Sequence, residues 1–307
     1  MIHLTERQLR VLRTLNRYGY LTNAMLYEML GISTCLREVE RCTAKLARLR
    51  WKKQPLILPL KFSVDARFGR LSYMYCLTTA GQEVLREEDT GNSIEALSAK
   101  YPKFAKRDYF HRQLTVRAHI AFDQMLEQRY RVLSLRRWER YFVKTGNNRQ
   151  SSGAQLRAQT RLELPGTDRY CIPDVICEVT DTRPDRTKSM WFLWEVALGH
   201  DTLRNLKHLG RYRECLQNKS LATAYGHQQG ATILLLCKEA GLASTVRQRF
   251  AEYFSRPDRF APFVLVTHAD DFFRDPETCW RAPRPLSQSD HYSVLNLKPK
   301  PFPLPPS

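Results

Sequence analysis

The sequence lacks the features that mark several large classes of protein. It has no run of 18 apolar residues, so it offers no membrane-spanning helix. Its eight cysteines form no CxxC pair, and several lie in apolar runs where cysteine behaves as a small hydrophobic residue. Neither a disulfide framework nor a zinc site is therefore expected. The first residues enter an amphipathic helical pattern rather than a signal peptide, and the chain is predicted to be a reduced, cytoplasmic protein.

Acidic residues are also scarce. The 307 residues include 31 Asp and Glu against 49 Lys and Arg, which gives a formal net charge of +18. Residues 1–70 hold 14 basic and 5 acidic residues, so half of that charge lies in less than a quarter of the chain. A field of this sign attracts polyanions. The expected partner is double-stranded DNA rather than a membrane. No Walker A or GxGxxG sequence suggests nucleotide hydrolysis.

Three helical patterns, followed by two strand patterns, occupy the first ninety residues. The first helix is expected to begin after Thr5 and to end at Gly19, and the second to begin after Thr22 and to end at Gly31. Ser33 and Thr34 are both good N-cap residues for the third helix. The segments "LPLKFSV" and "LSYMYCLT" read as strands joined by the basic turn "DARFGR", and "TTAGQEVLRE" reads as a closing helix. This order predicts a winged helix-turn-helix domain over residues 1–88, whose third helix enters a major groove.

Eight basic residues of this region are the predicted DNA contacts. Four recur at helical spacing on the third helix, two lie at the root of the strand hairpin and two lie at its tip: Arg37, Arg41, Lys45, Arg48, Lys52, Lys53, Arg67 and Arg70. The alternative is that they form a solvated face, which is the usual meaning of a charge run. The agreement of helix order, basic face and basic hairpin favours DNA binding.

The rest of the chain predicts a second domain and a tail. Residues 89–107 are polar and contain Gly and Pro, which predicts a linker. Residues 108–280 follow the order helix, strands, helix, strand, helix, strand, so the fold class is α+β with a central mixed sheet in this α/β domain. Residues 281–307 hold seven of the sixteen prolines and are expected to be disordered.

Two acids interrupt apolar, strand-like runs of the second domain. Asp174 lies in "YCIPDVICEV" and Glu195 lies in "MWFLWEVALG". Burying an unpaired charge is costly, so these acids are either satisfied locally or hold a hard divalent cation such as Mg²⁺ or Mn²⁺. If they are satisfied locally, Asp174 caps backbone N–H groups where the strand begins, and Glu195 pairs with a neighbouring arginine.

The segments "IPDVI", "FLWEVALG" and "LKHLGRYRE" resemble the core of the PD-(D/E)XK restriction-endonuclease-like superfamily. With the winged helix before that core, residues 5–270 resemble the plasmid replication-relaxation family, which includes MobC-type relaxases and related mobilisation proteins. The resemblance implies a restriction-endonuclease-like fold that acts at the transfer origin of a mobile element. It also implies that Asp174 and Glu195 bind the metal, and that relaxosome or conjugation proteins are partners.

One position departs from that family pattern. Ala197 stands two residues after Glu195, where the superfamily has Lys and the relaxase relatives tend to have another acid. Lys207 on the next helix, or Glu178 on the strand that follows Asp174, would have to complete the site. Lys207 also reads as an ordinary solvated helix residue.

Three functions therefore stay open. The first is metal-dependent nicking of DNA by Asp174, Glu195 and Lys207, with Glu178 as a further metal ligand. The second is a non-catalytic DNA-binding accessory or regulator on a degenerate nuclease scaffold. The third is a regulator whose second domain mediates association, and winged-helix proteins commonly pair to read two half-sites, so a homodimer is one form it could take.

Overall fold

The computed structural model describes residues 2–30, 35–62, 64–88, 106–130, 133–139, 142–144, 156–182, 189–227, 230–283 and 291–295. The chain divides into two compact units, Met1–Ile120 and Ala121–Ser307. The division falls inside a long helix, Lys106–Arg129, whereas the predicted linker is residues 89–107. Residues 89–105 of that linker lie outside the described ranges. Among the described helices, none is long and apolar enough to cross a membrane.

The first unit contains helices and short strands in an order close to the predicted one. They are α1 Glu6–Tyr18, α2 Asn23–Leu30, α3 Leu36–Arg48, β1 Arg50–Trp51, β2 Gln54–Pro55, β3 Ile57–Leu60, β4 Val64–Asp65, β5 Gly69–Arg70, β6 Met74–Leu77, α4 Thr79–Glu88 and the first part of α5 Lys106–Arg129. Three antiparallel pairs form hairpins: β1 with β2, β3 with β6, and β4 with β5.

Local capping explains where the first two helices begin. The Thr5 side chain accepts a hydrogen bond from the Gln8 backbone N–H, and the Gln8 side chain accepts one from the Thr5 N–H, which is a capping box. The helix ends at Gly19, whose φ of 74° suits glycine. The Thr22 hydroxyl accepts from the Met25 N–H at 3.3 Å. These predicted helix boundaries are confirmed.

The third helix begins slightly later than the sequence suggested. Its N-cap is Cys35, which makes no side-chain capping hydrogen bond, while Ser33 and Thr34 lie outside the described ranges. Leu36, the first residue of the helix, is 39% exposed.

The core of the first unit joins the three helices to the β3–β6 hairpin. Leu12, Leu15, Leu26 and Leu46 are fully buried in one cluster with residues of β3 and β6. Burying a leucine side chain stabilises the fold by roughly 1.5–3 kcal/mol. An isolated bridge between Leu21 and Tyr75 ties the segment between α1 and α2 to β6. The base of the hairpin is therefore held against the helices.

The second unit begins within α5 and contains a larger sheet. Its elements are β7 Leu133–Glu139, β8 Phe142–Lys144, β9 Leu156–Ala158, β10 Leu162–Glu163, β11 Tyr170–Cys171, β12 Val175–Asp181, β13 Ser189–Ala197, α6 Thr202–Gln217, α7 Ser220–Tyr225, β14 Thr232–Cys237, α8 Ala240–Tyr253, α9 Pro257–Phe260, a 3₁₀ turn Ala261–Phe263, β15 Val264–His268, α10 Ala269–Arg274, β16 Trp280–Arg281 and β17 His291–Tyr292.

Seven of these strands form one mixed sheet in the order β17-β16-β15-β14-β13-β12-β7. The central pairs β13–β14 and β14–β15 are parallel, and the other pairs are antiparallel. Helices α6 and α8 bury residues such as Leu209 and Val246 in one cluster with strand residues of this sheet. Phe122 and Phe272 meet Trp194 edge-on in a separate aromatic group. The prediction of an α+β protein with a central mixed sheet is confirmed at this level.

Two expectations for this unit are wrong. The run "YCIPDVICEV" is two strands rather than one, because β11 pairs with β10 while β12 pairs with β7 and β13. Pro173 lies between the two strands and has no N–H to donate to a strand ladder. The chain passes from the β10–β11 pair to the larger sheet at this proline. Part of the proline-rich tail is also ordered, since His291–Tyr292 pairs with β16 and Val294 is fully buried.

Candidate nucleic-acid interface and buried acid pair

The helix α3 has two chemically distinct sides. Val39, Cys42 and Leu46 are buried in the core of the first unit. On the opposite side the four predicted contacts are all exposed: Arg37, Arg41, Lys45 and Arg48. Three of them line a shallow pocket of ≈ 460 Å³ together with Ala44 and Leu49. Cations grouped in this way on an exposed helix face suit the phosphates that flank a groove of duplex DNA.

The two predicted root residues form a tight turn with unusual backbone geometry. Lys52 and Lys53 are the two loop residues between β1 and β2, and their φ angles are 47° and 68°. A two-residue hairpin loop with both φ angles positive normally contains Gly, Asn or Asp, because the Cβ of most other residues is strained in left-handed backbone. Both lysines are exposed, so the strained turn presents two charges to solvent.

Lys52 is also tied to its own unit. Its Nζ lies 2.9 Å from Glu83 Oε2, an oxygen that also accepts from the indole N–H of Trp51. The hydrogen bond and charge of Glu83 raise the pKa of Lys52 above its usual value. Of the two root lysines, Lys53 therefore fits a DNA contact better than Lys52 does.

We expect Lys53→Gly to stabilise the protein by about 0.5–1 kcal/mol, because glycine relieves the left-handed backbone strain at some cost in chain entropy. Urea unfolding of the full chain measures the change. Lys53→Ala is the matched control, since it removes the same charge but keeps the Cβ. If the glycine variant were less stable than the alanine variant, the turn would not be strained.

The hairpin tip holds the last two predicted contacts. Arg67 and Arg70 are exposed at the end of the β4–β5 pair. The Asp65 carboxylate accepts hydrogen bonds from the backbone N–H groups of Arg67 and Phe68 at 2.8 and 3.1 Å, which fixes the turn. The first unit thus presents basic residues on a helix face, in a strained turn and at a hairpin tip.

In the second unit, Asp174 and Glu195 lie on two paired chain segments, because Asp174 directly precedes the Val175–Trp194 pair of β12 and β13. Asp174 is 3% exposed and directly precedes β12. Its Oδ2 accepts a hydrogen bond from the Val196 backbone N–H at 2.9 Å, and its own N–H donates to the Trp194 carbonyl. Asp174 therefore fastens the start of β12 to β13, which is the local role foreseen as the alternative to metal binding.

Glu195 is held by helix α6 rather than by an arginine. Its Oε1 lies 2.7 Å from Nδ1 of His208, and its Oε2 accepts a hydrogen bond from the hydroxyl of Tyr212. His208 and Tyr212 are four residues apart, hence one turn apart on the same side of the helix. Burial, followed by the negative charge of Glu195, raises the pKa of Tyr212 well above its ordinary value. The hydroxyl therefore stays protonated and donates.

Two buried thiols lie beside this group. The Sγ atoms of Cys171 and Cys215 are 2.7 Å apart. Burial, and then the neighbouring thiol, raises the pKa of Cys171, while the hydrogen bond from Cys171 lowers the pKa of Cys215. No local pattern connects these cysteines, because one lies on β11 and the other on α6. The whole group therefore joins β11, β12, β13 and α6 in one buried polar cluster.

The other residues predicted for a nuclease site lie elsewhere. Lys207 is exposed on α6, on the side of Arg204 and Arg211. Glu178 lies four residues beyond Asp174, roughly 13 Å along an extended strand, in register with Arg136 and Trp191. Ala197 is buried in the core of the sheet. The structure brings Asp174 and Glu195 together and brings neither Lys207 nor Glu178 to them.

The donor set does not fit a resident Mg²⁺ or Mn²⁺ ion. Both oxygens of Glu195 are already engaged by His208 and Tyr212, and Asp174 accepts from the backbone. Mg²⁺ needs several oxygen ligands in near-octahedral geometry. Within the part of the chain that the structure describes, no group of three or more His, Cys, Asp and Glu side chains is arranged to hold a metal ion.

Comparison with known proteins adds no relative to these observations. No family model, no curated protein and no solved structure matches this chain.

Proposed function

We propose that the protein binds double-stranded DNA through its first unit. In this proposal the first unit is a winged-helix domain, with α3 in the major groove and the hairpin from β3 to β6 as the wing. The observation that carries the proposal is the basic side of α3. Arg37, Arg41 and Lys45 are exposed there, on the side away from the buried Val39 and Leu46.

The arrangement of charge around α3 supports contact with phosphates as well as bases. The exposed cations of the hairpin belong to the same compact unit as α3. In a docked winged helix, such cations would neutralise phosphates on either side of the groove. Neutralised phosphates release condensed counterions, which makes binding strong at low salt and weak at high salt.

For the second unit we propose a role without catalysis of DNA cleavage. Asp174 and Glu195 make hydrogen bonds that hold two strands and a helix together, which supports a structural use of the pair. The protein would then act as a DNA-binding accessory or regulator. The mobilisation role implied by the resemblance of the sequence is compatible with this proposal through DNA binding, not through nicking.

Cys35 allows a direct test of the docking mode. It is exposed at the N-cap of α3, whereas the other seven cysteines are buried. We expect one thiol to react rapidly with a maleimide in the native protein. A saturating DNA duplex of about 30 base pairs should slow that reaction at least tenfold, because the N-terminal residues of a recognition helix lie against base edges.

Cys35→Ser is the control that assigns the fast thiol. Duplex DNA that saturates the protein, as measured by fluorescence anisotropy, but leaves the labelling rate of Cys35 unchanged would show that DNA binds away from α3.

A further inference from the structure

The hairpin tip displays apolar side chains that the proposed DNA contacts do not explain. Val64 is 66% exposed and Phe68 is 55% exposed. Within the described ranges, the other exposed large apolar side chains are between 39% and 44% exposed. Single exposed apolar residues are common. Here the two highest exposures fall on one short hairpin, beside two exposed arginines.

The backbone presents Phe68 in a fixed position. Asp65 pairs with Gly69 across the tip, and its carboxylate accepts from the Phe68 N–H at 3.1 Å. Gly69 has a φ of 68° and no heavy atom within 4 Å of where a Cβ would stand, so backbone geometry rather than space favours glycine there. A three-residue loop closed by a left-handed glycine is a common, stable hairpin end.

Aromatic and cationic neighbours hold the ring of Phe68. The ring of Phe110 lies 5.1 Å from it, centre to centre, and the guanidinium of Arg67 lies 5.3 Å from the ring centre. Arg70 lies over the ring of Tyr73 and donates a hydrogen bond to its hydroxyl. The tip is therefore an ordered structure in which an exposed phenyl ring lies beside the guanidinium of Arg67, while Arg70 is held on Tyr73.

We propose that Phe68 is a wedge that inserts between adjacent base pairs from the minor groove and bends the duplex. This inference rests on the proposed function and adds how the hairpin engages DNA. The minor groove is about 6 Å wide, too narrow for a helix but open to a slender hairpin. Its negative potential matches the arginines, and unstacking one base step accommodates the ring. Charge complementarity thus selects DNA as the occupant of this apolar tip.

The sequence preference follows from the mechanics of the duplex. Pyrimidine–purine steps such as T–A unstack and kink more readily than other steps. The wedge therefore predicts stronger bending where a T–A step lies under the tip, without any hydrogen bond to a base. It also predicts that the ring contributes more to the shape of the DNA than to the affinity.

The test uses the full-length protein with DNA duplexes of about 30 base pairs, labelled at the two ends for energy transfer, with a central T–A or a central G–C step. Wild type should raise the transfer efficiency, and more with the T–A step. Phe68→Ala should abolish the rise while lowering the affinity by less than about tenfold. Phe68→Leu, which keeps an apolar wedge, should bend the duplex partly. Val64→Ala is the matched control and should bend it as wild type does.

The outcomes separate the wedge from the proposed function. A duplex that binds wild type but stays straight, or that Phe68→Ala bends equally, overturns the wedge and leaves DNA binding in place. No binding to any duplex, measured by anisotropy in the same samples, overturns both. Binding of single strands, with quenching of a 2-aminopurine base that depends on Phe68, would identify an unpaired base as the occupant and also overturn the wedge.

Discussion

Arg41→Glu is expected to weaken the binding of duplex DNA by roughly 30- to 150-fold, the effect of losing about 2–3 kcal/mol at a charged hydrogen bond. Arg41 is exposed in the middle of the basic side of α3 and lines the same pocket as Lys45 and Arg48. The glutamate both removes a phosphate contact and places a negative charge against the phosphates. Fluorescence anisotropy with an end-labelled duplex at a fixed low salt concentration measures the change.

Arg86→Glu is the matched control for that experiment. Arg86 is exposed on α4 of the same unit, and its replacement changes the net charge by the same amount. Its effect on affinity should be several-fold smaller than that of Arg41→Glu, because Arg86 lies on α4 and not on the basic side of α3. If both variants lost affinity equally, DNA would be attracted by the overall charge of the unit and not by contact with α3.

Glu195→Ala is expected to destabilise the fold by about 2–4 kcal/mol, since it leaves the buried Tyr212 hydroxyl without its acceptor and breaks the link to His208. Glu195 is 8% exposed and Tyr212 is 2% exposed. Urea unfolding at neutral pH measures the loss. Adding Tyr212→Phe to Glu195→Ala should cost little more, because the hydroxyl that the first change leaves buried is then absent.

Alkaline pH gives a second measure of the same cluster. The pKa of Tyr212 is raised well above 10.0 in the folded protein. In the unfolded chain the hydroxyl ionises near its ordinary pKa. Above that pH the unfolded chain has lost the proton, whereas the folded protein still retains it. The stabilisation by protonated Tyr212 is therefore complete below pH 10 and is lost as the pH rises above it. Tyr212→Phe should lose less stability than wild type over this range.

A metal role for the acid pair would give the opposite pattern. Mg²⁺ or Mn²⁺ bound to Asp174 and Glu195 would raise the stability of wild type by mass action and would not raise that of Glu195→Ala. Such a result would contradict the structural role of the pair and reopen the nicking hypothesis. An equal response of the two proteins is the expected result.

The features that could be predicted from the sequence are those that depend on near neighbours in the chain. Thr5 and Gln8 form their capping box within one turn, and Gly19 ends the same helix. The basic side of α3 follows from residue spacing alone. The turn at the hairpin tip could be predicted because "DARFGR" lies between two apolar runs. In each case the determining contacts lie within about one turn of helix or one hairpin.

The features that were missed depend on contacts between distant parts of the chain. Glu195 was expected to face a metal or an arginine, but its partners lie 13 and 17 residues further along, on α6. The i, i+4 spacing of His208 and Tyr212 was visible, yet nothing local indicates which side of α6 meets the sheet. The pairing of β17 with β16 likewise depends on the sheet that the tail reaches.

The most direct test of DNA binding by this protein is the salt dependence of its affinity for duplex DNA, measured by anisotropy between about 50 and 200 mM NaCl. If α3 and the hairpin neutralise about five to seven phosphates, the plot of log affinity against log salt should have a slope of roughly −5 to −6. Arg41→Glu should make that slope shallower by about one. Affinity that does not change with salt, or no binding at the lowest salt, would contradict the proposal.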